Sequence, residues 1–209
     1  MKQKYEIIVL DLYGTLLKKN NLGLFNDLYK AMRLGPEESR GATRVRLTRH
    51  FESISEFVRY FHPNVEVNCK IFEPRIKKIV KNVELFPDTL NALKTLSELG
   101  YNIGLVSNLI TQFKEPFFRF KLNKFIQNPI FSCDYGFMKP ENEIYELIGQ
   151  SHNISKENIL FVGDNFICDY QAPINNNINA VLLDRDNVFK NKNKEIKIIN
   201  SLDELIKYL

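Results

Sequence analysis

An α/β fold, a doubly wound parallel sheet joined to a small all-helical second domain, follows from three observations. Four short apolar runs of similar character recur along the chain. Helical patterns separate the later runs. Residues 18–85, between the first run and the second, contain no strand-like pattern. Each run is aliphatic and rich in β-branched residues on both faces, as a strand covered by helices above and below requires.

The first run, EIIVL, stops at Asp11 and continues as LYGTL. The insert then reads as four helical stretches: NDLYKAMRL, EESRGATRVRLTRHF, SISEFVRYF and NCKIFEPRIKKIV. A stretch of this length with its own helical periodicity is a second small domain rather than a loop. The predicted division is 1–17 with 86–209 as an α/β core, and 18–85 as a helical unit. Because the insert leaves the core beside the C-terminal end of the first strand, where ligands bind in open α/β sheets, it is placed to cover a site.

DTLNALKTLSELG (88–100) predicts a helix with Leu90, Leu93, Leu96 and Leu99 at three-residue spacing, closed by Gly100. The second run, NIGLV, ends at Ser107-Asn108. The helical ENEIYELIGQSHN leads to NILFV, which ends at Gly163-Asp164. CDYQAPINNN, with Pro173 in a first turn or at a kink, leads to NAVLL and Asp184. The tail KIINSLDELIKYL reads as a short strand, an N-cap at Ser201 and a closing helix.

Composition narrows the class of function. The net charge of +4 is mild, and the basic residues Arg40, Arg44, Arg46, Arg49, Lys190, Lys192 and Lys194 are scattered without stacking aromatics. That pattern is solvated charge, not a nucleic-acid surface. Cys69, Cys133 and Cys168 are odd in number and form no C-x-x-C, so neither a disulfide framework nor a zinc site is indicated. No apolar run approaches the roughly 20 residues of a membrane span. A cytoplasmic protein with reduced thiols and a small-molecule substrate is expected, with no nucleic acid or membrane partner. Monomer and homodimer remain equally open.

The strand ends carry the chemistry. If the first three runs are neighbours, Asp11, Ser107-Asn108 and Asp164 meet at one edge, with Asp169 a helical turn further on and Lys139 supplied by FMKPENEIYEL. Any one of these alone reads as a cap or turn residue; their joint placement does not. Three packed carboxylates are costly unless a cation joins them, and one lysine does not neutralise three acids. Mg2+, a hard ion that accepts few carboxylates plus a substrate phosphate, suits such a set.

These segments resemble the haloacid dehalogenase (HAD) superfamily of hydrolases, whose four motifs match DLYGTL (11–16), VSN (106–108), the lysine of MKPENEIYEL (138–147) and VGDNFICD (162–169). The resemblance implies a Rossmann-like core and, in the subclass with an insert after the first motif, a helical cap at 18–85. It also implies roles. Asp11 is the nucleophile that forms an aspartyl ester. Ser107, Asn108 and Lys139 hold the transferring group. Asp11, the backbone carbonyl of Tyr13, Asp164 and Asp169 bind Mg2+. Thr15 is expected to hydrogen-bond Asp11, and Gly14 to permit the tight turn after the strand.

Tyr13 departs from the phosphatase pattern, in which a second aspartate two residues after the nucleophile acts as acid and base. A phenol, with a reference pKa of about 10, is a poor base at neutral pH. Tyrosine is usual there in the metal-independent 2-haloacid dehalogenases, whose leaving halide needs no proton, and Tyr145 matches a tyrosine of their third motif. A cap arginine of those enzymes would correspond to Arg40 or Arg44. The fourth motif, GDNFICD, is instead the metal-binding version. The expectation is therefore a Mg2+-dependent phosphohydrolase, with a metal-independent dehalogenase or a non-catalytic phospho-ligand-binding descendant as alternatives. Phe25, Tyr29, Phe51, Phe57, Tyr60 and Phe61 are expected to form the core of the insert, not a ligand cage. No chemistry is assigned to His50, His62 or His152.

Overall fold

The computed structural model describes residues 3–19, 23–189 and 196–209. Lys190, Lys192 and Lys194 lie outside the described residues. In chain order the structure runs through β1 (Ile7–Leu10), the inserted helices α1 (Gly23–Ala31), α2 (Pro36–Thr48), α3 (Ile54–Phe61) and α4 (Glu73–Lys81), then α5 (Thr89–Glu98) and β2 (Asn102–Ser107). It continues with α6 (Glu115–Arg119), β3 (Ile130–Phe131), α7 (Ser132–Tyr135), α8 (Asn142–His152) and β4 (Ile159–Gly163). Last come α9 (Ala172–Asn175), β5 (Asn179–Leu183) and β6 (Ile198–Ile199).

All six strands are parallel, in the order β3-β2-β1-β4-β5-β6. Alternation along β1 sorts its side chains between the two faces. Ile8 and Leu10 join one apolar cluster with Leu105, Leu160 and Val181. Ile7 and Val9 join another with Val106, Ile159 and Ala180. The first cluster extends without a break into the inserted helices through Leu28, Met32 and Phe57, so insert and sheet share apolar packing. The second is closed by Ile144, Tyr145 and Ile148 of α8. No helix among the described residues is long and apolar enough to cross a membrane.

The insert is joined to the sheet through a pinched pair of chain segments. Lys18 N donates to Glu84 O at 2.8 Å and Phe86 N to Leu16 O at 3.1 Å, flanking an antiparallel bridge between Leu17 and Leu85. Thr89 Oγ1 adds a bond to Leu16 O at 2.8 Å. Within the insert, Ser53 caps α3 by accepting from Glu56 N, and Pro36 occupies the first turn of α2.

Several local expectations are corrected. Of the four leucines at three-residue spacing only Leu93 and Leu96 are buried, while Leu90 and Leu99, the latter just past the end of α5, are about half exposed. Three-residue steps fall 60° short of a full turn each time, so four such positions sweep half the helix circumference and only the middle two face the sheet. Ser201 makes no side-chain cap bond, and the closing segment Leu202–Tyr208 is a 3-10 helix. Residues Phe166–Gln171 form a π-helical turn before α9, and Pro173 sits in the first turn of α9, where no N–H is missed. Phe25, Tyr29, Phe51 and Phe57 are buried as core, but Tyr60 lies on the surface.

Candidate active site

β2, β1 and β4 are neighbours, so their C-terminal ends converge. Asp11, Asp164 and Asp169 each offer a carboxylate oxygen there, and these atoms all lie within 4.8 Å of one another. Two glycines make the crowding possible. Gly14 has φ +98°, and a Cβ there would meet Asp164 Oδ2 at 2.4 Å; a Cβ at Gly163 would meet Asp169 Cγ at 2.5 Å.

Lys139 bridges two of the acids. Its Nζ lies 2.7 Å from Asp11 Oδ1 and 2.6 Å from Asp169 Oδ1, with the whole side chain buried. Burial works against its charge, but Asp11 and Asp169 outweigh burial and hold the ammonium well above the usual lysine range. Burial pushes the Asp169 carboxyl up to about 6 against the pull of Lys139. Asp164 is likewise raised by burial and by Asp11, and Lys19 opposes that shift by pairing with it from the solvent side. Three carboxylates thus face two ammoniums, and the oxygen donor set fits a hard divalent cation.

Other groups fix this arrangement. Asn108 donates to Lys139 O at 2.7 Å and accepts from Lys139 N at 2.8 Å. These two bonds make Asn108 a positioning group for the lysine, and Asn108 also borders the cavity. Asn165 accepts from Ile167 N and Cys168 N, and its own N–H donates to Asp169 Oδ2 at 2.9 Å. The Tyr145 hydroxyl donates to Cys168 O at 2.5 Å, so this buried tyrosine supports the π-helical turn that carries Asp169. Ser107, at the end of β2, is buried and borders the cavity.

Two further expectations fail. Thr15 Oγ1 is buried with no hydrogen-bond partner among the described residues, so it does not bond Asp11. Lys139 already holds Asp11 Oδ1, and the tight turn at Gly14 carries the threonine past the carboxylate. Arg40 and Arg44 do not reach the site. Arg40 is on the exposed side of α2, and Arg44 pairs at the surface with Glu141 at 2.7 Å. Arg46 borders the cavity instead. It lies four residues after buried Ala42 and so shares the inward phase of α2, a signal that helical periodicity contained.

Two more residues went unread in the sequence. Lys19 is one. The other is Arg185, just past β5, whose guanidinium makes two 2.9 Å bonds to Asp88 and a third to Thr15 O. It lies 3.8 Å from the centre of the Phe86 ring, locking the turn after Asp11 to the returning segment.

The cavity at these strand ends has a volume of about 470 Å³. Tyr13 forms part of its wall, and its hydroxyl donates to Phe113 O at 3.0 Å. Burial, aided by Glu115, raises this phenol far above its ordinary range. It is neutral at any physiological pH and is neither a base nor a ready acid.

The sequence pattern of the haloacid dehalogenase-like hydrolases matches residues 8–183. Over 128 residues the chain is 29% identical to the glyceraldehyde 3-phosphate phosphatase of Methanothermobacter thermautotrophicus, a match covering 57% of this chain and 56% of that protein. The match therefore spans little more than half the length of that curated relative. In fold the chain is similar to an HAD phosphatase from Thermococcus onnurineus (TM-score 0.68, 19% identity, 97% of each chain covered). It is equally similar to a dehalogenase (TM-score 0.68, 20% identity, 100% of this chain and 99% of that one).

Proposed function

The chain belongs to the haloacid dehalogenase-like hydrolase family, and on that premise we propose that it is a Mg2+-dependent phosphohydrolase acting on a small phosphorylated metabolite through an aspartyl-enzyme intermediate. The observation that carries the reading is the set of three carboxylates, Asp11, Asp164 and Asp169, with oxygens within 4.8 Å of one another. A halide-releasing site needs only the nucleophile. Two further buried acids are a cost that a cation-binding function explains.

Asp11, Asp164, Asp169 and the backbone carbonyl of Tyr13 would hold Mg2+, which supplies charge neutralisation for the phosphoryl oxygens and the nucleophile. Lys139 fixes Asp11 Oδ1, which orients the carboxylate and leaves Oδ2 to attack phosphorus. The new Asp11 O–P bond forms as the P–O bond to the leaving alkoxide breaks, and the alkoxide takes its proton from solvent water because Tyr13 supplies none. Ser107 and Lys139 meet the phosphoryl oxygens. Water then hydrolyses the aspartyl phosphate, releasing phosphate and restoring Asp11. Tyr13 gives that water no base, so this second step is the slow one. The four inserted helices act as a cap over the cavity.

The second reading, a metal-independent 2-haloacid dehalogenase, rests on Tyr13, with Tyr145 at the matching place of the third motif. Hydrolysis of p-nitrophenyl phosphate separates the two, because its leaving group departs without an acid. Release that needs Mg2+, stops with chelator and is absent from Asp11→Asn is the expected result. No release with Mg2+, together with chelator-resistant halide release from a 2-halo acid, overturns the proposal.

A further inference from the structure

The cavity is chemically two-sided. All of its carboxylates and Lys139 sit at the strand ends. Much of the remaining wall is apolar, formed by Tyr13, Leu47, Ile79, Val83, Leu109 and Phe113, with Lys19, Arg46, Ser107, Asn108 and Asn165 as its polar neighbours. Several of the polar groups that could serve a polyhydroxylated substrate are already engaged. The Tyr13 hydroxyl donates to Phe113 O, the Asn108 amide bonds the Lys139 backbone through its oxygen and one N–H, and the Asn165 side-chain oxygen accepts two backbone N–H groups. A sugar hydroxyl turned to this wall would lose its water and gain no partner, a loss on the order of tenfold in binding for each such group.

Arg46 interrupts the apolar wall. Its Nε donates to Tyr29 Oη at 2.9 Å, and its guanidinium carbon stands 3.7 Å from the centre of the Phe25 ring. No carboxylate pairs with it among the described residues, and burial draws its pKa downward. Nη1 and Nη2 have no hydrogen-bond partner among the described residues, yet they are not among the side-chain atoms sealed from solvent without one. The guanidinium is thus held at one edge by Tyr29 and Phe25, with its other donors available beside the cavity. An unpaired, largely desolvated cation facing a small cavity is a receptor for an anion.

We propose that this site takes a phosphomonoester with an apolar body, an aryl or short alkyl group, whose far end carries a carboxylate received by Arg46. The inference rests on the phosphohydrolase reading for the identity of the reacting group. It goes beyond that reading in excluding polyhydroxylated phosphates and in naming Arg46 as the residue that selects the substrate.

The test is a comparison, with Mg2+, of kcat/KM for phenyl phosphate, 4-carboxyphenyl phosphate, glucose 6-phosphate and glyceraldehyde 3-phosphate. Wild-type protein is set beside Arg46→Met and Arg46→Lys. In the wild type, 4-carboxyphenyl phosphate should exceed phenyl phosphate about tenfold, and both sugar phosphates should fall at least about tenfold below phenyl phosphate. The carboxylate preference should shrink to about one in Arg46→Met and be partly kept in Arg46→Lys. Sugar phosphates as the better substrates, or an unchanged preference in folded Arg46→Met, overturn the inference; the wild-type panel decides even if the variants do not fold.

Binding of the inert 4-carboxyphenylphosphonate to wild type, followed by calorimetry with phenylphosphonate as reference, reads the same selectivity without turnover. Preferred binding of the carboxylated ligand with no hydrolysis of any ester supports the pocket assignment and sinks the phosphohydrolase reading. Hydrolysis without that preference does the reverse.

Discussion

The Tyr13 hydroxyl donates to the Phe113 carbonyl at 3.0 Å, across a separation of a hundred residues. The rings of the two residues also meet, with centroids 5.8 Å apart. A residue two places after Asp11 is thus a strut between the β1 turn and the segment after β2. The phenol helps to shape the cavity, and its proton is committed to a backbone carbonyl.

Breakdown of the aspartyl phosphate should therefore limit turnover. Rapid mixing with p-nitrophenyl phosphate should show a burst of product followed by a slow steady phase. Tyr13→Asp restores a carboxylate and should raise the steady rate by at least about tenfold, since acid–base groups contribute about 10²–10⁴. A folded variant with an unchanged or lower rate would show that water activation is not what this position lacks.

Among the described residues, Lys139 is the sole ammonium reaching both Asp11 and Asp169. Lys139→Met leaves two buried carboxylates without that partner, a change that costs about 3–5 kcal/mol. At about 2–4 °C per kcal/mol for a chain of this size, the Tm should fall by roughly 10 °C. Calorimetry at neutral pH checks this, and a Tm within about 2 °C of wild type would mean that the acids are satisfied in another way.

Gly14→Ala should damage the metal site more than the fold. The added methyl meets the Asp164 carboxylate at 2.4–2.6 Å, and the φ of +98° is strained for any side chain. Half-maximal Mg2+ activation should shift upward by at least about tenfold, while the far-ultraviolet dichroism stays that of wild type. Activation at the wild-type Mg2+ concentration would separate Gly14 from the metal-binding geometry.

Arg185 and Asp88 should behave as one unit. Their paired 2.9 Å bonds are largely shielded, and Asp88 also accepts from Leu202 N at 2.8 Å. Arg185→Met and Asp88→Asn should each cost about 3 kcal/mol, and the double variant much less than the sum. Denaturant unfolding of the four proteins in the cycle measures the coupling; additive losses would mean that the pair makes no direct contribution.

The four central strands were legible because each is a continuous apolar run that helices cover on both faces, and the acids follow because they end those runs. β3 was not legible: two residues, Ile130 and Phe131, give no period to detect. Thr15 misled because closeness in sequence to Asp11 says nothing of where a hydroxyl points after a positive-φ glycine. Arg40 and Arg44 misled for want of helical phase, which buried Ala42 would have supplied for Arg46. The Arg185–Asp88 clamp joins residues almost a hundred positions apart, and no local pattern announces a contact of that kind.

The pinch between residues 16–18 and 84–86 has a consequence for how such a chain can change. Both ends of the helical excursion meet at hydrogen-bond distance, so a piece of different length between them need not shift the register of β1 against β2 and β4. The acids and Lys139 stay behind with the sheet, whereas Arg46, Leu47, Ile79 and Val83 travel with the replaced piece. One toolkit can then serve a succession of different tenants. The single condition on a newcomer is an apolar underside that fits the patch now covered by Leu28, Met32 and Phe57.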